Sequence, residues 1–167
     1  MIDNRINIIH ISDTHISSAL VNDLNRVTSS LINDIRELLN DEELKSTIVC
    51  FTGDLIQRGD YGYSCEKQYE LALYNFLLPL LEGLSINLSN FFIVPGNHEI
   101  DLTKINKIYD EGLNKYLANY RGKLEIDYPK ENQLRERLEG FRKFESEING
   151  DSENNKIVNS KVITVNN

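Results

Sequence analysis

Three short apolar runs punctuate the first hundred residues, and each ends on polar side chains. Ile6 to Ile11 is apolar at nearly every position and leads into Ser12-Asp13-Thr14-His15. Thr47 to Phe51 leads into Thr52-Gly53-Asp54, and Phe91 to Val94 into Pro95-Gly96-Asn97-His98-Glu99. Runs of this length and composition predict buried strands, and the first reads as a central strand covered on both faces. Leu24, Val27, Leu31, Ile35, Leu38 and Leu39 recur at helical spacing, which predicts an amphipathic helix over 23–40, capped by Asn22 or Asp23 and ended in solvent by Asp41-Glu42-Glu43. A second helix over 64–84 starts at Ser64 and buries Tyr69, Leu73, Leu77, Leu80, Leu81 and Leu84. Pro79 inside it predicts a kink, because proline removes a backbone donor and crowds the preceding turn. Strands joined through helices pair in parallel.

The pattern therefore predicts an α/β fold, a mainly parallel sheet flanked by helices, with residues 1–101 as a βαβαβ core. From Asp101 onward charge increases and apolar positions scatter. Helical patches are expected at Ile105 to Tyr120 and Pro129 to Ile148, the latter striped by Leu134, Leu138, Phe141 and Phe144, and a fourth strand at Lys161 to Val165. Residues 102–167 read as a helical insertion and a last strand of the same single domain.

Composition narrows the function. A chain of 167 residues with 40% apolar residues is long enough for one real core. Its formal net charge of −8 counts against nucleic acid or an anionic membrane surface as the main partner. Two cysteines without CxxC spacing fit reduced thiols, the N-terminus carries no basic-then-apolar leader, and no apolar run reaches membrane-spanning length, so the cytoplasm is the expected location. Phosphate-cradling glycine loops and a nucleophile elbow are both missing.

The strand ends carry the chemistry. Asp13 and His15, one residue apart, can face the same way and chelate a divalent cation. Taken singly, each group has a plainer reading: Asp13 as an Asx-turn, Asp54 and Asn97 as turn residues, His15 and His98 as solvated histidines. Convergence of three parallel strands on one crevice favours the metal site, because ligands of open α/β sheets gather at the carboxyl ends of strands. His10, inside the first strand, is expected to be a hydrogen-bonded core histidine. Arg135, Arg137, Arg142 and Lys143 are interleaved with glutamates and read as a solvated helix face.

Asp13-x-His15, Gly53-Asp54 and Gly96-Asn97-His98-Glu99, in this order and each after an apolar strand, resemble the calcineurin-like metallophosphoesterases. The resemblance is dense over residues 5 to 101 and thin beyond. It implies the N-terminal half of an α/β/β/α sandwich that hydrolyses a phosphomonoester or phosphodiester. It implies further that Asp13 and His15 bind one metal, Asp54 bridges two, Asn97 binds the second, and His98 acts as general acid or transition-state donor. Two divalent ions about 4 Å apart would activate a bridging water for in-line attack. Mixed nitrogen and oxygen donors favour Mn, Fe or Zn.

The chain departs from the family in its second half. The family supplies further histidines to the metals there, whereas all three histidines of this sequence lie at or before position 98. The expectation is a truncated chain that holds at most one loosely bound ion, with weak or no activity. A shortened homologue acting as a binding or regulatory module, completed by a partner, is the alternative. A non-catalytic α/β domain with turn-capping polar groups is the plainest reading. The uncovered sheet is expected to favour self-association or a covering partner; a chain that nonetheless held two tight metals and turned over at ordinary rates would mean that other residues, such as Glu99 or Asp101, replace the lost ligands. The substrate, beyond a phosphate ester, is open.

Overall fold

A computed structural model of the chain describes residues 6–58, 64–104, 111 and 136–149. Three parallel strands, β1 (Asn7–Ile11), β2 (Thr47–Thr52) and β3 (Phe91–Val94), form a sheet in the order β1-β2-β3. The register runs from Asn7 opposite Thr47 to Ile11 opposite Phe51, and from Val49 opposite Phe91 to Thr52 opposite Val94. All three carboxyl ends therefore lie at one edge of the molecule. The strand expected at 161–165 lies outside the described residues, as does the helical patch at 105–120 apart from position 111.

Helix α1 (Val21–Leu38) and the short α2 (Asp41–Lys45) connect β1 to β2. The core side of α1 is Leu24, Thr28 and Ile35, with Leu31 and Ile32 packed against it. Val27 and Leu38, expected on that face, are 53% and 80% exposed; at about 100° per residue they lie about 80° and 60° to one side of the line through residues 24, 28 and 35. The acidic stretch at 41–43 does not simply end in solvent. Asn40 accepts hydrogen bonds from the backbone N–H groups of Glu42 and Glu43, the Glu43 carboxylate accepts one from the Asn40 N–H, and the resulting capped turn buries Leu44.

The second helical stretch is broken into α3 (Cys65–Ala72), a π-helical turn (Leu73–Leu77) and α4 (Leu78–Gly83). Pro79 explains the break. It offers no N–H to the Asn75 carbonyl one turn back, and that oxygen is met by the Thr28 hydroxyl of α1 at 3.5 Å. The Leu78 N–H reaches back to the Leu73 carbonyl, the wide bond that defines a π turn. Further along, α5 (Glu139–Asn149) lays Phe141, Phe144 and Ile148 into the core. Phe144 stacks on Tyr69 of α3 with ring centroids 4.7 Å apart. On the outer side of α5, Lys143 pairs with Glu66 and Glu139, as expected of a solvated face, whereas Glu145, expected on the same face, is buried.

The helices cover one face of the sheet, where Val49, Phe51, Phe91 and Ile93 are buried. On the other face Ile6, Ile8 and Val94 are 53%, 66% and 52% exposed. This corrects two expectations. Among the described residues the first strand is covered on one face only, and its apolar run continues because the other face is also apolar. His10 points to that other face, exposed and hydrogen-bonded to the Thr52 hydroxyl at 2.6 Å, and is not a core residue. No described helix is long and apolar enough to cross a membrane.

Candidate metal centre

Backbone pairing does not stop where the strands do. Beyond β1 and β2, the Asp13 N–H donates to the Gly53 carbonyl (3.1 Å), His15 to Asp54 (3.0 Å), Ile16 to Leu55 (2.8 Å), and Gln57 back to Ile16 (3.1 Å). The Thr14 hydroxyl adds a bond to the Leu55 carbonyl. Ile16, Leu55 and Ile56 are fully buried beneath these loops and give them an apolar floor. The motif residues thus sit on a fixed framework.

Within it the chain takes an unusual path. Asp13, His15, Asp54 and Arg58 have φ values of 57°, 45°, 56° and 106°, and Gly53 has 91°. A non-glycine residue in this region costs about 1–3 kcal/mol, and such residues gather where a function needs them. Gly53 and Gly96 are required by contact as well: a Cβ on Gly53 would lie 2.8 Å from the Gly96 Cα, and one on Gly96 would lie 2.6 Å from the Asp54 nitrogen and collide with its carboxylate. The second and third strand ends touch backbone to backbone at this point.

Glu99 ties them together. It is 2% exposed, and its carboxylate accepts hydrogen bonds from four backbone N–H groups. One oxygen takes Leu55 (2.8 Å) and Ile56 (3.3 Å), the other Asp54 (2.9 Å) and Gly96 (2.6 Å). Asp101 is likewise engaged, accepting from the Thr103 backbone and hydroxyl. Both oxygens of Glu99 are thus taken up by backbone N–H groups, and one oxygen of Asp101 by Thr103.

Above this framework His15, Asp54 and His98 place one ligand atom each within 4.8 Å of one another. The His15 and His98 rings lie 4.4 Å apart, inclined at 59°. The His15 Nδ1 is buried and has no hydrogen-bond partner among the described residues. Asp54 presents one oxygen to the His98 backbone N–H at 2.9 Å. The orientation of the Asn97 amide that satisfies both its ends donates to the other Asp54 oxygen (3.1 Å) and accepts from the Arg58 guanidinium (2.6 Å). Of the sequence-derived residues, His15, Asp54, Asn97 and His98 are thus drawn together. Asp13 is exposed at the rim, outside the group of three.

A carboxylate beside an imidazole nitrogen that is buried without a partner among the described residues suits a borderline divalent cation, and Asp54 and His15 fit such an ion, with His98 next to them. His98 spends its Nδ1 on the Gln57 carbonyl at 2.9 Å, which leaves Nε2 as its free nitrogen. Sequence reasoning missed Gln57 and Arg58, which lie in a loop without periodicity, and the structural role of Glu99. The one available signal was a glutamate three residues after Gly96, the spacing at which a carboxylate reaches back to an N–H.

Comparison with curated proteins and with solved structures gave no match. A family model did match, that of the calcineurin-like phosphoesterases, over residues 6–165, which extends the resemblance well past residue 101. With nearly the whole chain covered, and with the strand ends meeting in one cluster of metal-ligating groups, this protein belongs to the calcineurin-like phosphoesterase family.

Proposed function

We propose that the chain carries a divalent-metal phosphoesterase site that hydrolyses a phosphomonoester or phosphodiester. The observation that carries this reading is the convergence of His15, Asp54 and His98, with the His15 Nδ1 buried and without a hydrogen-bond partner among the described residues. Asp13, His15, Asp54 and Asn97 would hold the metal, with Asp54 shared if two ions bind. Bound Mn, Fe or Zn would supply Lewis acidity, polarising the phosphoryl group and lowering the pKa of a water nucleophile.

The residues of the chain supply the rest. Attack by water forms one P–O bond as the ester P–O bond breaks, and the leaving oxygen needs a proton. The attacking water sheds a proton to solvent, and His98, as the imidazolium, donates one to the leaving oxygen from Nε2, its Nδ1–H held by the Gln57 carbonyl. Arg58, through its bond to Asn97, places a fixed positive charge beside the cluster, suited to phosphate oxygens. A non-catalytic module completed by a partner is the second reading, and it draws support from the open apolar face around Ile8 and Val94.

Bound Mn²⁺ and turnover of p-nitrophenyl phosphate and bis-p-nitrophenyl phosphate, measured on wild type, Asp54→Asn and His98→Ala, test the proposal. Asp54→Asn should lose both metal and turnover. His98→Ala should lose turnover and keep metal, because His98 acts as donor rather than ligand. Wild-type protein that binds Mn²⁺ and hydrolyses neither ester would favour the non-catalytic module.

A further inference from the structure

The loop after β2 is gripped by a side chain from outside the strand-end motifs. Gln68, on α3, is 1% exposed. Its Oε1 accepts from the Gln57 N–H at 3.0 Å, a donor shared with the Ile16 carbonyl. Its Nε2 donates to the Arg58 carbonyl. Between these two contacts lies the Gln57 carbonyl, the acceptor for His98 Nδ1. A primary amide offers a donor and an acceptor in one plane, so Gln68 reads this stretch of backbone much as a neighbouring strand would. Arg58 needs such a hold, since its φ of 106° is one that a side-chain-bearing residue does not keep unaided.

We infer that Gln68 is a positioning residue for the site: by clamping the Gln57–Arg58 backbone, it aims the Gln57 carbonyl at His98 and the Arg58 guanidinium at Asn97. A carbonyl oxygen can only accept, so this contact places the neutral imidazole's proton on Nδ1 and leaves Nε2 as the nitrogen that exchanges a proton. A ring held in this way presents Nε2, once protonated, to a leaving group in a fixed orientation. The kinetic consequence rests on the phosphoesterase reading, whereas the structural consequence stands without it.

The test uses the full chain labelled with ¹⁵N-histidine, in which three histidines give a readily assigned long-range ¹H–¹⁵N spectrum, recorded with the imidazoles neutral. Wild-type His98 should show the proton on Nδ1. Gln68→Met keeps the approximate volume and removes both hydrogen bonds. It should mix the His98 tautomers and leave His10 unchanged. It should also lower kcat roughly 10- to 100-fold, the usual effect of losing an outer positioning contact, with bound Mn²⁺ and KM nearly constant. Ala72→Gly, at a buried position of the same helix, weakens α3 without touching the loop and should leave the His98 spectrum and kcat as in wild type.

A proton on Nε2 of wild-type His98 would overturn the inference before any substitution is made. So would an unchanged spectrum in Gln68→Met, or an equal loss in Ala72→Gly. Should Gln68→Met fail to fold, Gln68→Glu keeps the acceptor for Gln57 but sets a carboxylate oxygen against the Arg58 carbonyl, and should also mix the His98 tautomers. An unchanged spectrum there would equally contradict the inference. If wild type hydrolyses neither aryl phosphate, the phosphoesterase reading fails and the spectra still decide the role of Gln68.

Discussion

Replacing Glu99 by glutamine tests how the site is held together, because it changes one atom and removes a charge. In wild type each carboxylate oxygen accepts two backbone N–H groups. A glutamine amide has a single acceptor oxygen, so its NH₂ must face either Leu55 and Ile56 or Asp54 and Gly96, donor against donor. Two hydrogen bonds to a charged group are lost, at about 1.5–3 kcal/mol each, so the expected destabilisation is about 3–6 kcal/mol. Against a typical total of about 5–15 kcal/mol, that is a large fraction of the fold's stability. Urea unfolding followed by circular dichroism measures it, with exposed Glu37→Gln as the control. Because the donors are the N–H groups of Asp54 and Gly96, Mn²⁺ affinity should fall in the same variant under conditions where it remains folded. A loss below about 1 kcal/mol, the range of an ordinary surface change, with Mn²⁺ binding intact, would refute the anchoring role of Glu99.

Gly96→Ala should cost about 1–3 kcal/mol through overpacking and weaken Mn²⁺ binding as its Cβ displaces the Asp54 carboxylate, measured by calorimetric titration beside thermal unfolding. Tyr69→Phe should be neutral or stabilising, since the buried Tyr69 hydroxyl has no hydrogen-bond partner among the described residues. Burial, followed by the charges of Glu99 and Cys65, raises the Tyr69 pKa, so the folded state keeps a proton that the unfolded chain releases above its usual value of about 10. Wild-type stability should therefore fall with rising pH from about 10 upward, by up to about 1.4 kcal/mol per pH unit, and Tyr69→Phe should flatten that limb in unfolding curves. Ile35→Ala should cost about 2–5 kcal/mol and Leu38→Ala under about 0.5, which checks which face of α1 is buried.

The parallel sheet and its helices were legible because burial imposes a period on the chain, and β3 falls on the residues that its apolar run and Pro95-Gly96 predict. Errors arose where a periodic pattern met a one-sided environment. An apolar run cannot say whether both faces are covered, so β1 was read as doubly buried and His10 as core. A spacing of three or four also could not separate Val27 and Leu38 from Thr28 and Ile32. At the site, His15, Asp54, Asn97 and His98 were legible because strands of one parallel sheet end together. The supports were not, since Glu99, Gln57 and Gln68 act through backbone N–H and C=O groups that carry no sequence signature. Gln68 sits one residue from Tyr69 on a buried helix face, where nothing in the pattern marks a polar side chain as a clamp.

A divalent ion should bind where the three strand ends meet. Crystals grown with Mn²⁺ and measured at the manganese absorption edge locate it directly. An anomalous peak bounded by His15 and Asp54, and missing from Asp54→Asn crystals, is the predicted result. A peak elsewhere on the chain, or none at these residues under conditions where Mn²⁺ demonstrably binds, would contradict the account.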